Sequence, residues 1–111
     1  MNNLEEFFNE LRGSQFEAQA KADAARVLFG RKNSVDYELA MEFATDVEEI
    51  YTRYERAKAL IDFLPDCEMK LIFDMRFLQG ESWGYIEDAM HMSKTTVWRI
   101  YRKGLEILSS P

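Results

Sequence analysis

Apolar residues recur at every third or fourth position along most of the chain, and this spacing predicts helices nearly throughout. Residues 3–12 carry apolar side chains at helical intervals, and residues 15–29 are rich in alanine, which favours helix. No stretch shows the sustained alternation of apolar and polar residues that is typical of a strand. The predicted fold class is therefore all-α.

Residues 35–64 predict one long helix with a heptad-like apolar seam. The seam includes Phe43, Val47, Ile50, Tyr54 and Ile61. In the interpretation that we favour, the seam packs against the preceding helices as an antiparallel hairpin, because those apolar helices also need a partner. The alternative is a seam between two copies of the chain or with a partner protein. Both hold if the hairpin itself dimerises.

Leu64 and Pro65 mark a boundary, because proline disfavours helix at the residue before it but fits the first turn of a new helix. We therefore divide the chain into residues 1–63, a helical dimerisation or partner-binding region, and residues 64–111, a three-helix domain. The first helix of that domain covers residues 66–78 and ends before Gly80, which can take a left-handed conformation. Its apolar side is predicted to bury Cys67, Leu71, Met75 and Leu78.

Residues 82–108 predict two short helices joined by a tight turn. Ser82 and Ser93 suit the N-caps, since a serine oxygen can accept from the free N–H groups of a first turn. His91 occupies the turn and adopts positive φ more readily than a bulky apolar residue would. The second helix, residues 94–108, has an apolar stripe formed by Val97, Tyr101, Gly104 and Leu108, with Ile100 and Leu105 at its borders.

The opposite face of helix 94–108 is polar and basic. Thr95, Arg99, Arg102 and Glu106 point away from the stripe, with Trp98 and Lys103 on the flanks. Four basic residues and no acidic residue occur between positions 94 and 103. A helix that starts with small polar groups and continues basic suits the major groove of DNA, where base edges meet its first turn and phosphates its later turns.

Charge limits how such a helix can act. The chain has a formal net charge of −6, which does not suit a protein that coats nucleic acid nonspecifically. Residues 1–63 hold 13 acidic and 8 basic side chains, net −5, whereas residues 64–111 hold 7 and 6, net −1. An acidic body with one basic helix favours a specific binder, or a module that needs a partner to bind well.

Several other classes of protein are disfavoured by composition. One cysteine and one histidine allow no intramolecular disulfide and make a metal site improbable, and no cofactor motif is present. No group of catalytic residues stands at a useful spacing, so the chain is not expected to be an enzyme. The absence of a long apolar run or a signal-like amino terminus predicts a cytoplasmic protein without a membrane span.

Residues 64–108 resemble region 4 of bacterial sigma factors and the sigma-like regulators that share its helix-turn-helix. The residues that carry the resemblance are Leu64-Pro65, Arg76-Phe77, Gly80, Ser82-Trp83, Ile86, Ser93, Thr96 and Val97. The chain is also similar to phage and prophage regulators, including late-gene activators and the autolysin-regulatory family of Gram-positive hosts. It departs from the pattern at Glu87, where alanine is frequent, and at His91, where glycine is frequent. Residues 1–63 do not resemble sigma region 2, so a complete sigma factor is not implied.

The resemblance implies a set of DNA-binding residues. They are Ser82, Ser93, Lys94, Thr95, Thr96, Trp98, Arg99, Arg102 and Lys103. Arg99 could bind a guanine in bidentate fashion, and a threonine methyl could contact thymine. Arg102 and Lys103 suit phosphate, as do the two serines.

Alternatives stay open for four of these residues. Lys94 and Lys103 could be ordinary solvated charges. Thr96 could cap the helix or pack against the helix before it. Trp98 could pack on sugar and phosphate, seat a partner protein, or cover the helix pair.

Together these features predict a sequence-specific DNA-binding transcription regulator, phage or prophage encoded, that acts as a dimer and reads the major groove of double-stranded DNA with helix 94–108. The alternative is an adaptor that binds RNA polymerase or a sigma factor through its helical surfaces, without specific DNA binding.

Overall fold

The computed structural model describes residues 3–110, and this range contains six helices and no strand. They are α1 Asn3–Leu11, α2 Ser14–Gly30, α3 Ser34–Asp62, α4 Cys67–Phe73, α5 Trp83–Met90 and α6 Lys94–Ser109, and α4 continues directly as a π-helical segment, Asp74–Leu78. The bounds agree with the predicted helices to within two residues. The prediction of an all-α fold is confirmed.

Helices α2 and α3 form an antiparallel hairpin. The Phe29 and Tyr37 rings meet edge to face with centroids 5.5 Å apart, and the Lys21 ammonium lies 2.7 Å from the Asp46 carboxylate. In each pair the two residues lie at similar distances along the chain before and after the short link, so the two helices run in opposite directions. The buried side chains nearest this link are small: Ala18, Ala25 and Ala40. The helices therefore approach closely but bury little apolar surface there.

The predicted seam of α3 has partners inside the chain. Ile50 and Ile61 are buried, and Phe43, Val47 and Tyr54 are half-buried. The first part of the seam belongs to the α2–α3 hairpin, whereas Tyr54 and Ile61 join the main core. This division supports the hairpin interpretation, and an interface between two copies of the chain stays a prediction.

The main core lies around α4, α5 and α6 but also includes α1. Phe8 of α1 is fully buried, stacks on Phe77 with centroids 4.9 Å apart, and meets Phe73 edge to face at 5.6 Å. Leu11 and the end of α3 supply further buried side chains. The chain does break between α3 and α4 near Pro65, as predicted, but the core crosses that break.

The predicted apolar side of the fourth helix is wrong in its first half. Cys67 is exposed and Leu71 is 48% exposed. The buried side chains are Met69, Ile72, Phe73, Met75, Phe77 and Leu78. This segment is apolar on two sides, and the side with the two phenylalanines faces the core because aromatic rings bury the most area. The π-helical turn, closed by a 2.9 Å bond from the Gln79 N–H to the Asp74 carbonyl, shifts the helical phase so that Met75 and Leu78 are buried as well.

Candidate functional site

Serine caps begin both α5 and α6. The Ser82 hydroxyl accepts from the Tyr85 N–H at 3.1 Å, and the Ser93 hydroxyl accepts from the Thr96 N–H at 3.2 Å. The Thr96 hydroxyl also lies 2.9 Å from that of Ser93, so Thr96 takes part in the cap. The two predicted caps are confirmed, and each satisfies a backbone donor that a helix start would otherwise leave free.

The turn between the two helices is built around His91. Its φ of 54° and ψ of 44° place it in the left-handed region, as predicted. The His91 N–H donates to the Asp88 carbonyl at 3.3 Å, and the Met92 N–H donates to the Glu87 carbonyl at 3.0 Å. This pair of bonds is the Schellman arrangement, which ends a helix abruptly and redirects the chain. The direction of α6 relative to α5 is therefore set by local hydrogen bonds.

Buried side chains hold one face of α6 against the core. Val97 and Tyr101 are each 2% exposed, and Ile86 of α5 is fully buried in the same cluster. A Cβ added to Gly104 would lie 2.5 Å from Cε1 of Phe73, so glycine lets α6 come unusually close to α4. The predicted stripe is largely correct, although Leu105 is buried and Leu108 only half-buried. The opposite face of α6 is left to solvent.

That outer face carries most of the predicted DNA-binding side chains. The exposed ones are Ser82, Ser93, Lys94, Thr95, Trp98, Arg99, Arg102 and Lys103, and Thr96 is half-buried. Within residues 3–110, none of the cations Lys94, Arg99 and Lys103 forms an ion pair. Three of the four positive charges of α6 are thus free to meet an anionic ligand.

The fourth cation, Arg102, already has a carboxylate beside it. Its Nη1 lies 3.7 Å from Oε2 of Glu5 in α1, and the same oxygen accepts a 2.7 Å hydrogen bond from the Tyr101 hydroxyl. Burial raises the pKa of the Tyr101 phenol above its usual range, and the bond to Glu5 raises it further, so the hydroxyl remains a donor. Sequence reasoning missed Glu5 because 96 positions separate it from Tyr101, and no local pattern marks it.

A cluster of aromatic rings borders the basic face. Trp98 is 51% exposed, meets Trp83 edge to face at 6.2 Å and lies 5.5 Å from the Tyr101 ring. The Arg76 guanidinium stacks 4.5 Å from the Trp83 centroid, and burial lowers the pKa of Arg76. Trp98 thus covers part of the helix pair and still presents half of its surface to solvent. A cavity of 330 Å³ opens beside it, lined by Trp83, Gly84, Glu87, Lys94, Val97 and Trp98.

The junction of α1 and α2 braces the end of the π-helical segment and the loop that leads from it into α5. The Arg12 guanidinium donates to the Gly80 carbonyl at 3.3 Å, and the Gln15 amide donates to the Leu78 carbonyl. Gly80 has a φ of 75°, so its predicted left-handed conformation is confirmed. The amino-terminal helices therefore touch the candidate site both at this loop and at Arg102.

Comparisons with known proteins supply no relative for this arrangement. No protein-family model, curated protein or solved structure matches the chain. Within the described residues, 3–110, no helix is long and apolar enough to cross a membrane, and no three His, Cys, Asp or Glu side chains are grouped to hold a metal ion.

Proposed function

We propose that the chain is a sequence-specific DNA-binding transcription regulator in which α5, the His91 turn and α6 act as a sigma region 4-like helix-turn-helix. The observation that carries this proposal is the outer face of α6. It begins at a serine-capped turn and presents four cations, three of them without an ion pair among residues 3–110. A rigid helix with its apolar side buried and its cationic side free is suited to the major groove.

The roles along α6 follow from its direction. Lys94, Thr95 and Thr96 lie in the first turn, where polar side chains can approach base edges, although the Thr96 hydroxyl is engaged with Ser93. Arg99 comes one turn later and suits a guanine, whose two acceptors match a guanidinium. Arg102 and Lys103 suit phosphate, and the exposed hydroxyls of the two capping serines can add phosphate contacts.

The remainder of the chain supports a specific mode of binding. The net charge of −6 disfavours nonspecific binding of DNA to the chain as a whole and leaves α6, with four cations between positions 94 and 103, as the proposed binding face. In this proposal the protein is cytoplasmic and encoded by a phage or prophage, and the α2–α3 hairpin serves for dimerisation or for contact with RNA polymerase. A dimer would place two copies of α6 about 34 Å apart, or a multiple of that distance, and would require a nearly palindromic operator.

Selection of duplexes from a random pool, on protein of known mass in solution, tests the proposal. We expect one enriched sequence, palindromic for a dimer and a single half-site for a monomer. Replacing Arg99 and Arg102 together by alanine should then weaken binding to that sequence at least about tenfold, since one bidentate base contact is worth about 1–3 kcal/mol. Fluorescence anisotropy measures the loss.

The matched control is the pair Arg53→Ala and Arg56→Ala on α3. These arginines are three positions apart, as Arg99 and Arg102 are, and both are exposed on a helix. Replacing them removes the same amount of charge. We expect the control to keep the parent's mass in solution and to bind nearly as the parent does, and both variants to keep the parent's helicity and Tm. Equal losses in the two variants, or unfolding of the Arg99/Arg102 variant, would count against the proposed site.

One observation favours a second candidate function, that of an adaptor. Trp98 exposes 51% of its surface beside a 330 Å³ cavity, and exposed tryptophan is enriched where proteins bind one another. In this case the helical surfaces would bind RNA polymerase or a sigma factor without specific DNA binding. Retention of either protein by folded wild-type chain but not by Trp98→Ala, with no enriched duplex, would favour the adaptor.

A further inference from the structure

Glu5 is the acidic residue in closest contact with the basic face of α6. Within residues 3–110 it is the one carboxylate that forms an ion pair with a cation of that helix. Asp66 and Glu68 line a groove with Arg99 and Lys103 on the other flank, but neither forms an ion pair with them. Glu5 therefore differs from the other acidic residues described, because it contacts Arg102 directly.

The Glu5 carboxylate is held in that place by a hydrogen bond and by the packing of its helix. Its Oε2 accepts the 2.7 Å bond from the hydroxyl of Tyr101, whose ring is only 2% exposed. One turn further along α1, Phe8 is fully buried against Phe77 and Phe73. The Glu5 side chain is 24% exposed, whereas that of Arg102 is 57% exposed. A fixed carboxylate thus faces an accessible guanidinium.

We propose that the Glu5 carboxylate competes within the molecule with DNA phosphate for Arg102, so that α1 lowers the affinity of α6 for DNA. This inference rests on the proposed function. A phosphate oxygen that approaches Nη1 of Arg102 competes with the Glu5 carboxylate for the same positive charge, and two anions beside one guanidinium repel each other. Tyr101 links the competition to the core, because it anchors the competing carboxylate.

The substitution Glu5→Gln tests the competition. Glutamine has the same length and keeps an oxygen that can accept from Tyr101, but it carries no charge to hold Arg102. We expect Glu5→Gln to tighten binding to a mixed-sequence duplex about three- to tenfold at low salt. The slope of log K against log salt should steepen by about 0.9, the value for one additional phosphate contact.

The control variant Glu6→Gln separates the contact from the net charge. Glu6 is the neighbouring residue of α1, is exposed, and forms no ion pair within residues 3–110. The substitution Glu6→Gln changes the net charge by the same amount as Glu5→Gln. We expect it to tighten binding less and to leave the salt slope unchanged, since it frees no cation.

A second background shows whether the gain runs through Arg102. In a chain carrying Arg102→Gln, the further change Glu5→Gln should leave the salt slope unaltered, because no guanidinium remains to be released. Glu5→Asp adds a variant that keeps the charge but withdraws the carboxylate by one methylene. It should steepen the slope in the direction of Glu5→Gln, and it keeps the test open if Glu5→Gln fails to fold.

The outcomes separate this inference from the function on which it rests. If the wild-type chain binds duplex and Glu5→Gln changes affinity and slope no more than Glu6→Gln does, the competition is overturned and DNA binding stands. A gain that persists with Arg102→Gln also overturns it. If folded wild-type and variant chains bind neither the mixed-sequence duplex nor any duplex selected from the random pool at low salt, the proposed function fails and the inference fails with it.

Discussion

Two glycines in the proposed motif occupy opposite environments. Gly104 lies in α6 where an added Cβ would come within 2.5 Å of Phe73 and 3.3 Å of Met69. Gly84 lies in α5, exposed, where the nearest atom to an added Cβ is the Ser82 hydroxyl oxygen at 4.0 Å. Both residues weaken their helices by the same backbone entropy, but only Gly104 is needed for packing.

Alanine substitutions should therefore have effects of opposite sign at these two positions. We expect Gly104→Ala to lower the free energy of unfolding by about 1–3 kcal/mol, because the ring of Phe73 is buried and cannot move aside freely. Gly84→Ala should raise it by up to about 1 kcal/mol. Urea denaturation followed by circular dichroism measures both, and a stabilising Gly104→Ala would contradict the close approach of α6 and α4.

At the scale of elements, the α2–α3 hairpin and α6 are held by different kinds of contact. Near the link, the hairpin buries alanines and joins its helices by the half-exposed pair of Lys21 and Asp46. Helix α6 is held by large buried side chains, among them Val97, Tyr101 and Leu105. Since apolar burial provides most of the stability of a packed helix, the part of the hairpin around the link, residues 24–44, should open more easily than α6.

Hydrogen exchange read by mass spectrometry can test this difference. We expect amides of residues 24–44 to exchange at least about tenfold faster than those of residues 97–105, a gap of about 1.4 kcal/mol in opening free energy. Equal protection in the two ranges would contradict the expectation for the monomer. Protection of the hairpin that grows with protein concentration would instead reveal the predicted dimer interface.

The whole molecule is organised around a core to which both ends of the chain contribute. Phe8 and Leu11 from α1 and Ala57 and Ile61 from α3 share one buried cluster with α4, α5 and α6. Arg12 and Gln15 also connect the first part of the chain to this region, through hydrogen bonds to the carbonyls of Gly80 and Leu78 just before α5. The helices that would read DNA are thus supported by residues from the first part of the chain.

We therefore expect a fragment of residues 64–111 to fold poorly by itself. Without α1 and α3, the rings of Phe73 and Phe77 would lose their partner Phe8, and deleting one buried phenylalanine typically costs about 3–5 kcal/mol. Circular dichroism of the fragment should show low helicity and no cooperative melting, whereas the full chain should melt cooperatively. A fragment that is folded and melts cooperatively would contradict the shared core.

The sequence by itself determined the features that local contacts decide. The helix limits, the caps at Ser82 and Ser93 and the positive φ of Gly80 and His91 could all be predicted, because each depends on residues a few positions apart. The exposed basic face of α6 was also predictable, since helical periodicity separates it from the apolar stripe. The DNA-binding role of that face stays a proposal.

Only the tertiary structure decided how distant parts of the chain meet. The fourth helix has two apolar sides, and the periodic pattern did not indicate which of them would be buried. In the structure Phe73 and Phe77 are buried and Cys67 is exposed. Nor did the pattern indicate that Glu5 would reach Arg102, 97 positions further along the chain. Such pairings depend on which faces bury the most area together, and that sum is fixed only when all the helices are in place.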